Sequence, residues 1–100
     1  MRQLQPVEDF FAAIAEDPRI NTSHISLYMA LLKLWGEHGG KNPVRVYSYE
    51  VMSVCKISGI ATYHKSIREL HQYGYIRYVP SFYRYSRSLV FMIKTEILKD

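Results

Sequence analysis

The stretch that most constrains the fold runs from Ser58 to Tyr75. On a helical wheel centred on Ile67, its apolar residues fall on one side, namely Ile60, Tyr63, Ile67, Leu70 and Gly74. The opposite side is small, polar or charged and consists of Ala61, Thr62, Lys65, Glu69 and Gln72. Gly74 stands where a glycine commonly ends a helix in the left-handed conformation. The pattern predicts a helix over 60–73 with one buried stripe.

A β-hairpin is expected directly after this helix. Residues 75–79 and 88–93 are rich in aromatic and β-branched side chains, which favour strands. The tip between them, 80–87, combines aromatic residues with arginines.

A shorter helix is expected just before it. Residues 49–55 follow Ser48, a good N-cap, and the turn Lys56–Gly59 joins them to the long stretch. Two short helices joined by a tight turn are typical of a helix-turn-helix, and the alternating residues 44–47 predict one more strand ahead of it.

The N-terminal part is predicted to be helical. Residues 6–16 form a short helix that must dock on another element. A second helix over 23–38, capped by Thr22 or Ser23, is apolar on nearly every side. Its face of Leu27, Ala30 and Leu34 can bind a second subunit, which with the N-terminal helix makes a homodimer, or can be covered by residues 6–16 of the same chain.

The positive charge is concentrated in the C-terminal part of the chain. The net charge is +4 and the pI is about 9.3. Residues 1–40 carry three Lys or Arg against five acids, whereas residues 41–100 carry ten against four. A basic region that contains a candidate recognition helix favours nucleic-acid binding.

Other classes of function receive no support from the sequence. The single cysteine, Cys55, excludes an internal disulfide and is expected to be a core thiol. There is no signal-peptide pattern, no membrane-spanning run, no metal-ligand spacing and no phosphate-binding or nucleophile motif. We therefore expect a cytoplasmic protein that is not an enzyme, with no cofactor, no metal and no membrane partner.

Several segments resemble the winged helix-turn-helix regulators of bacteria. They are Tyr49–Met52, Lys56–Ser58, Ala61–Leu70 and Tyr73–Ile76, which are similar to the family's apolar helix, turn, recognition helix and closing glycine. The resemblance covers about residues 23–93. It implies a single winged-helix domain that is mainly α-helical, with a small antiparallel hairpin or three-stranded sheet, an N-terminal helical extension over 1–20 and a tail over 94–100.

The chain departs from the family pattern at two points. One additional residue between Ile57 and Ile67 leaves Ser58 and Gly59 as alternative caps of the recognition helix. Lys65 stands where the family usually has arginine, and a lysine lacks the fork that reads guanine with two hydrogen bonds.

The resemblance implies binding to double-stranded DNA, in the service of transcription regulation. The expected contact residues are in the recognition helix and the hairpin tip, namely Ser58, Ala61, Thr62, Lys65, Arg84, Tyr85 and Arg87. The helix would enter the major groove and the hairpin would lie on flanking backbone or minor groove. Two alternatives remain at this point: a protein-interaction or replication-assembly module, and an RNA-binding surface that stacks bases on exposed tyrosines.

Overall fold

Four helices and a small sheet make up the part of the chain that the structure, a computed structural model, describes, which is residues 5–81 and 86–93. The elements are α1 (Gln5–Ile14), α2 (Thr22–Glu37), β1 (Val44–Val46), α3 (Ser48–Cys55), α4 (Ile60–Gln72), β2 (Ile76–Val79) and β3 (Ser88–Met92). The prediction of a mainly helical chain with a small antiparallel sheet is confirmed. The predicted tail, 94–100, lies outside the described residues.

The three strands form one antiparallel sheet in the order β1-β3-β2, so the last strand is central. Val44 is paired with Val90, and Ile76 with Met92. Asn42 extends the first pairing, because its side-chain amide accepts from the backbone N of Met92 and donates to its carbonyl, both at 2.9 Å. The side chain thus continues a ladder that the three-residue β1 strand begins.

The core lies between α2, the other helices and one face of the sheet. Its buried side chains come from every element, the largest being Tyr63, Phe10, Leu27, Leu31, Ile67, Leu70 and Ile76. Cys55 is 4% exposed and forms no disulfide, as predicted for a core thiol.

The apolar surface of α2 is covered from within the chain. Phe10 of α1 stacks on Tyr28 with a ring separation of 3.8 Å, and also contacts Tyr75 edge-on. Leu27 is fully buried and Ala30 is 4% exposed, so neither offers a surface to a second subunit. Two of the residues predicted for a dimer face are therefore inside the domain, and the homodimer itself stays a prediction. α1 docks on α2 through Tyr28, on the side away from Leu27 and Ala30, and α2 also packs against α3, α4 and the sheet. The predicted lid of residues 6–16 over the Leu27 face is therefore not the arrangement observed.

Two helix caps differ from the prediction by one residue or more. α2 is capped by Asn21 and not by Thr22 or Ser23: Asn21 Oδ1 accepts from the backbone N of His24 at 3.1 Å. α3 is capped by Tyr47 and not by Ser48, and the Glu50 carboxylate accepts from the Tyr47 backbone N at 2.9 Å. In both helices a side chain three residues after the cap accepts from the cap's amide, and at α2 the Asn21 side chain completes a reciprocal pair of bonds.

The end of α4 is a Schellman motif. Gly74 has φ +90, its amide donates to the carbonyl of His71, and the amide of Tyr75 donates to that of Leu70. The predicted stop at Gly74 is confirmed. Because Tyr75 and Leu70 are both buried, the motif turns the chain directly into β2.

A polar cluster ties the α1–α2 turn to the same region. The Asp17 carboxylate accepts from Arg19 at 2.8 Å and from the Tyr75 hydroxyl at 2.7 Å, and Arg19 lies 4.1 Å from the ring centre of Tyr73. The hydrogen bond from Arg19, and to a smaller extent that from Tyr75, holds the pKa of Asp17 well below its ordinary 3.8. Burial, aided by Asp17, raises the pKa of Tyr75 to about 12. The cluster fixes the position at which α4 ends.

Candidate nucleic-acid interface

The outward face of α4 carries the sequence-predicted helix residues. Ala61, Thr62 and Lys65 are all exposed, and so is Ser58 in the turn before the helix. The first turn begins at Gly59, which contributes no side-chain cap. Between the two predicted caps the structure selects Gly59, and the start of the helix is open to approach.

The buried stripe of α4 is rotated from the predicted one by roughly 50°, at about 100° per residue. Its buried members are Tyr63, Ser66, Ile67 and Leu70. Ile60, predicted to be buried, lies in the first turn of α4 and is 50% exposed. Ser66 is small and polar and was not predicted to be inside, yet it is 4% exposed.

This rotation brings Arg68 to the outward face, where it is exposed one turn after Lys65. The sequence interpretation missed it, since a wheel centred on Ile67 and anchored by Ile60 places Arg68 at the edge. Centring the wheel between Tyr63 and Leu70 would have found it. Two cations therefore follow one another along the exposed face.

The same rotation carries Glu69 towards α2, which corrects its predicted place on the polar face. Glu69 Oε1 lies 2.8 Å from Nε2 of His24, a side chain that is 1% exposed. The other ring nitrogen of His24 accepts from the backbone N of Asn21 at 3.0 Å, so the proton of the neutral ring is on Nε2 and is donated to Glu69. The carboxylate is thus engaged in holding α2 to α4.

Of the predicted hairpin contacts, Arg84 and Tyr85 lie outside the described residues. Arg87 directly precedes β3. Its guanidinium is 4.6 Å from the ring centre of Tyr47, and its Nε is 3.9 Å from Glu50. The side chain is 48% exposed. Arg87 is therefore partly engaged with the start of α3 and keeps half of its surface available.

A polar groove of about 570 Å³ separates α4 from the hairpin. His71 of α4 spans it at one end, because its Nδ1 accepts from the backbone N of Tyr78 at 3.0 Å. The start of α3 forms the third wall. The groove adjoins the Arg68 side of the outward face. Its lining therefore runs from a cationic side chain on α4 to serine hydroxyl groups on the hairpin.

A second groove, of about 600 Å³, lies on the α1 side of α2 and is mainly apolar. Trp35 lines it, and within the described part of the chain its indole nitrogen is buried without a hydrogen-bond partner. The Lys33–Glu37 ion pair borders the same groove. This groove is on the acidic half of the chain and shares no residue with the α4 face.

No family model, curated protein or solved structure matches this chain. Within residues 5–81 and 86–93, no group of three or more histidine, cysteine or carboxylate side chains is arranged to hold a metal ion. The helices of the described chain are too short or too polar to cross a membrane.

Proposed function

We propose that this chain is a winged-helix domain that binds double-stranded DNA sequence-specifically and acts in transcription regulation. α4 lies in the major groove, and the β2–β3 hairpin lies on flanking backbone or minor groove. The element order after α1 supports this: helix, strand, two helices and two strands, with α4 placed directly before the hairpin.

The observation that carries the proposal is the exposed face of α4. Lys65 and Arg68 are exposed there one turn apart, while Tyr63, Ile67 and Leu70 hold the opposite face in the core. A helix fixed from behind and bearing cations in front can enter a groove without rearrangement. Ala61 allows its first turns to approach base edges closely.

The division of roles on this face follows from side-chain chemistry. Lys65 supplies a point charge suited to phosphate, whereas the guanidinium of Arg68 can donate two parallel hydrogen bonds to guanine. Thr62 can contact either bases or backbone. The Glu69 charge opposes phosphate less than its position on a helical wheel implies, since it is bonded to His24.

The proposal is tested by fluorescence anisotropy with labelled duplex DNA at several salt concentrations. Lys65→Ala is expected to weaken binding and to reduce the salt slope by about 0.9, the value for one lost phosphate contact. Arg68→Ala is expected to weaken binding by about 1–3 kcal/mol and to relax the preference for guanine. Lys33→Ala is the matched control, because it removes the same charge from the α1 side of α2. Equal affinities for all four proteins at matched salt would remove α4 from the interface.

The hairpin is tested separately. Replacing Arg84 and Arg87 together by Ala is expected to reduce the slope by up to about two units if both contact phosphate. An unchanged slope would give the hairpin a structural role only.

A dimeric form of the protein would recognise a pseudo-palindrome with half-sites about 34 Å apart or a multiple of this distance. Such a dimer would have to use a surface other than Leu27 and Ala30. Light scattering on the protein with and without duplex distinguishes one bound copy from two.

A further inference from the structure

The groove between α4 and the hairpin has the size and composition of a ligand site. Its volume of about 570 Å³ is within the range of small-molecule sites, roughly 300–1,000 Å³. Ser48, Ser81 and Ser86 contribute hydroxyl groups, and Arg68 contributes a cation. Among the described residues that line it there is no carboxylate, so the groove is complementary to an anion.

One wall of the groove ends in an exposed aromatic ring. Tyr49 is 67% exposed, the most of any large hydrophobic side chain in the described chain. Its ring is nearly parallel to that of Tyr47, at 5.2 Å and 11°, and Arg87 lies over Tyr47 in turn. These contacts hold the ring in one orientation while leaving most of it free, as a stacking surface requires.

The opposite wall presents donors. Arg68 is exposed at the groove, and His71 accepts from the Tyr78 amide at Nδ1, so in the neutral ring Nε2 carries the proton. His64 lies one turn before Arg68 on the same wall. An aromatic surface on one side and donors on the other match a ligand that has a planar base at one end and a phosphate at the other.

We propose that this groove binds an unpaired nucleotide, with the base stacked on Tyr49 and the phosphate held by Arg68 and His71. The nucleotide is either free or part of a single strand, since both have the same base and phosphate chemistry. This site shares Arg68 with the duplex interface that we propose for α4, whereas Tyr49 and His71 belong to the groove alone. The proposal is argued from the groove and does not depend on the duplex interface.

The test uses the full chain and two probes: a fluorescein-labelled oligothymidylate of about ten nucleotides, and AMP as an unlabelled competitor. Tyr49→Ala is expected to weaken oligothymidylate binding at least about fivefold, the lower limit for losing one base–aromatic stack. Tyr49→Phe retains the ring and should bind as the wild type does. Because Tyr49 is exposed, circular dichroism should show all three proteins equally folded.

Lys65→Ala provides the reciprocal comparison. It is expected to weaken duplex binding and to leave oligothymidylate binding unchanged. Tyr49→Ala is expected to weaken oligothymidylate binding and to leave duplex binding unchanged. Competition by AMP would identify a site for free nucleotides, and binding of the oligonucleotide without competition would identify a single-strand site. The proposal is overturned if neither probe binds, if Tyr49→Ala binds as the wild type does, or if Lys65→Ala weakens oligothymidylate binding as much as Tyr49→Ala.

Discussion

The buried imidazole of His24 donates a hydrogen bond to the carboxylate of Glu69 at 2.8 Å, across the contact between α2 and α4. The donor is 1% exposed and the acceptor side chain 25% exposed. The bond therefore joins the core to the border of the α4 face.

Replacing Glu69 tests this role. Glu69→Ala leaves the buried Nε2 of His24 without its acceptor and is expected to lower the free energy of unfolding by about 1–3 kcal/mol. Glu69→Gln keeps an acceptor oxygen, so its free energy of unfolding should fall by less. Urea unfolding measures both variants. Equal stability of Ala and Gln variants would mean that Glu69 faces solvent, as a wheel centred on Ile67 predicts.

The close approach of α4 to DNA depends on a small side chain at position 61. Ala61→Leu preserves helix propensity and lies on the exposed face, so the protein should fold normally. Its added bulk is expected to lower duplex affinity by tenfold or more, which corresponds to about 1.4 kcal/mol. Gln72→Leu, exposed in the last turn, is the control and should have a smaller effect in the same anisotropy assay. A smaller loss for position 61 than for position 72 would contradict insertion by the N-terminal end of α4.

Asp17 should give the protein part of its sensitivity to acid. Its pKa is lower in the folded state, so the unfolded state takes up the proton first as the pH falls. The contribution of Asp17 is therefore fully present above about pH 4, the ordinary range of the carboxyl, and decreases progressively below it. At neutral pH, Asp17→Asn is expected to cost about 1–2 kcal/mol, because Asp17 is bonded to a buried tyrosine and to a half-exposed arginine.

Urea unfolding of both proteins between pH 2 and pH 7, about the range in which carboxyls titrate, measures this difference. The gap between wild type and Asp17→Asn should narrow as the pH falls. A gap that stays constant would show that the carboxylate charge does not stabilise the turn.

Two glycines should respond to alanine in opposite directions. Gly36 lies inside α2, and a methyl group added there meets nothing within 4 Å, so Gly36→Ala is expected to raise the free energy of unfolding by about 0.5–1 kcal/mol. Gly74 has φ +90. Gly74→Ala should lower the free energy of unfolding by about 1–2 kcal/mol, because alanine is strained in the left-handed conformation. Chemical denaturation checks both. Destabilisation by Gly36→Ala would indicate that the chain needs flexibility at the end of α2.

The order of helices and strands could be predicted because each element has a recognisable pattern in its own stretch of sequence. The alternation around Val44, the glycine at 74 and the aromatic strands after it depend on neighbours a few residues away. The caps at Asn21 and Tyr47 could not be predicted in this way, because each depends on which side chain accepts a hydrogen bond from the cap's amide. The prediction chose the hydroxyl residues that follow each cap, Thr22 or Ser23 at α2 and Ser48 at α3.

The rotation of α4 was beyond the reach of its own sequence. Ile60 belongs to the apolar pattern but lies outside the core, whereas Ser66 breaks the pattern and lies within it. The observed rotation also brings Glu69 to His24, forty-five residues earlier in the chain. Lys65 was predicted as an exposed cation, whereas Arg68 was missed because the wheel was centred on Ile67 and anchored by Ile60.

The single aromatic anchor of α1 has a dynamic consequence. Phe10 is its one fully buried side chain among the described residues, and only Ala13 and Ile14 of the same helix add partly buried contacts to the core. A segment with so few buried side chains can open while the remainder stays folded, with a local free energy below that of global unfolding. Each such opening would uncover the ring of Tyr28 and the apolar groove beside Trp35, without disturbing the face of α4.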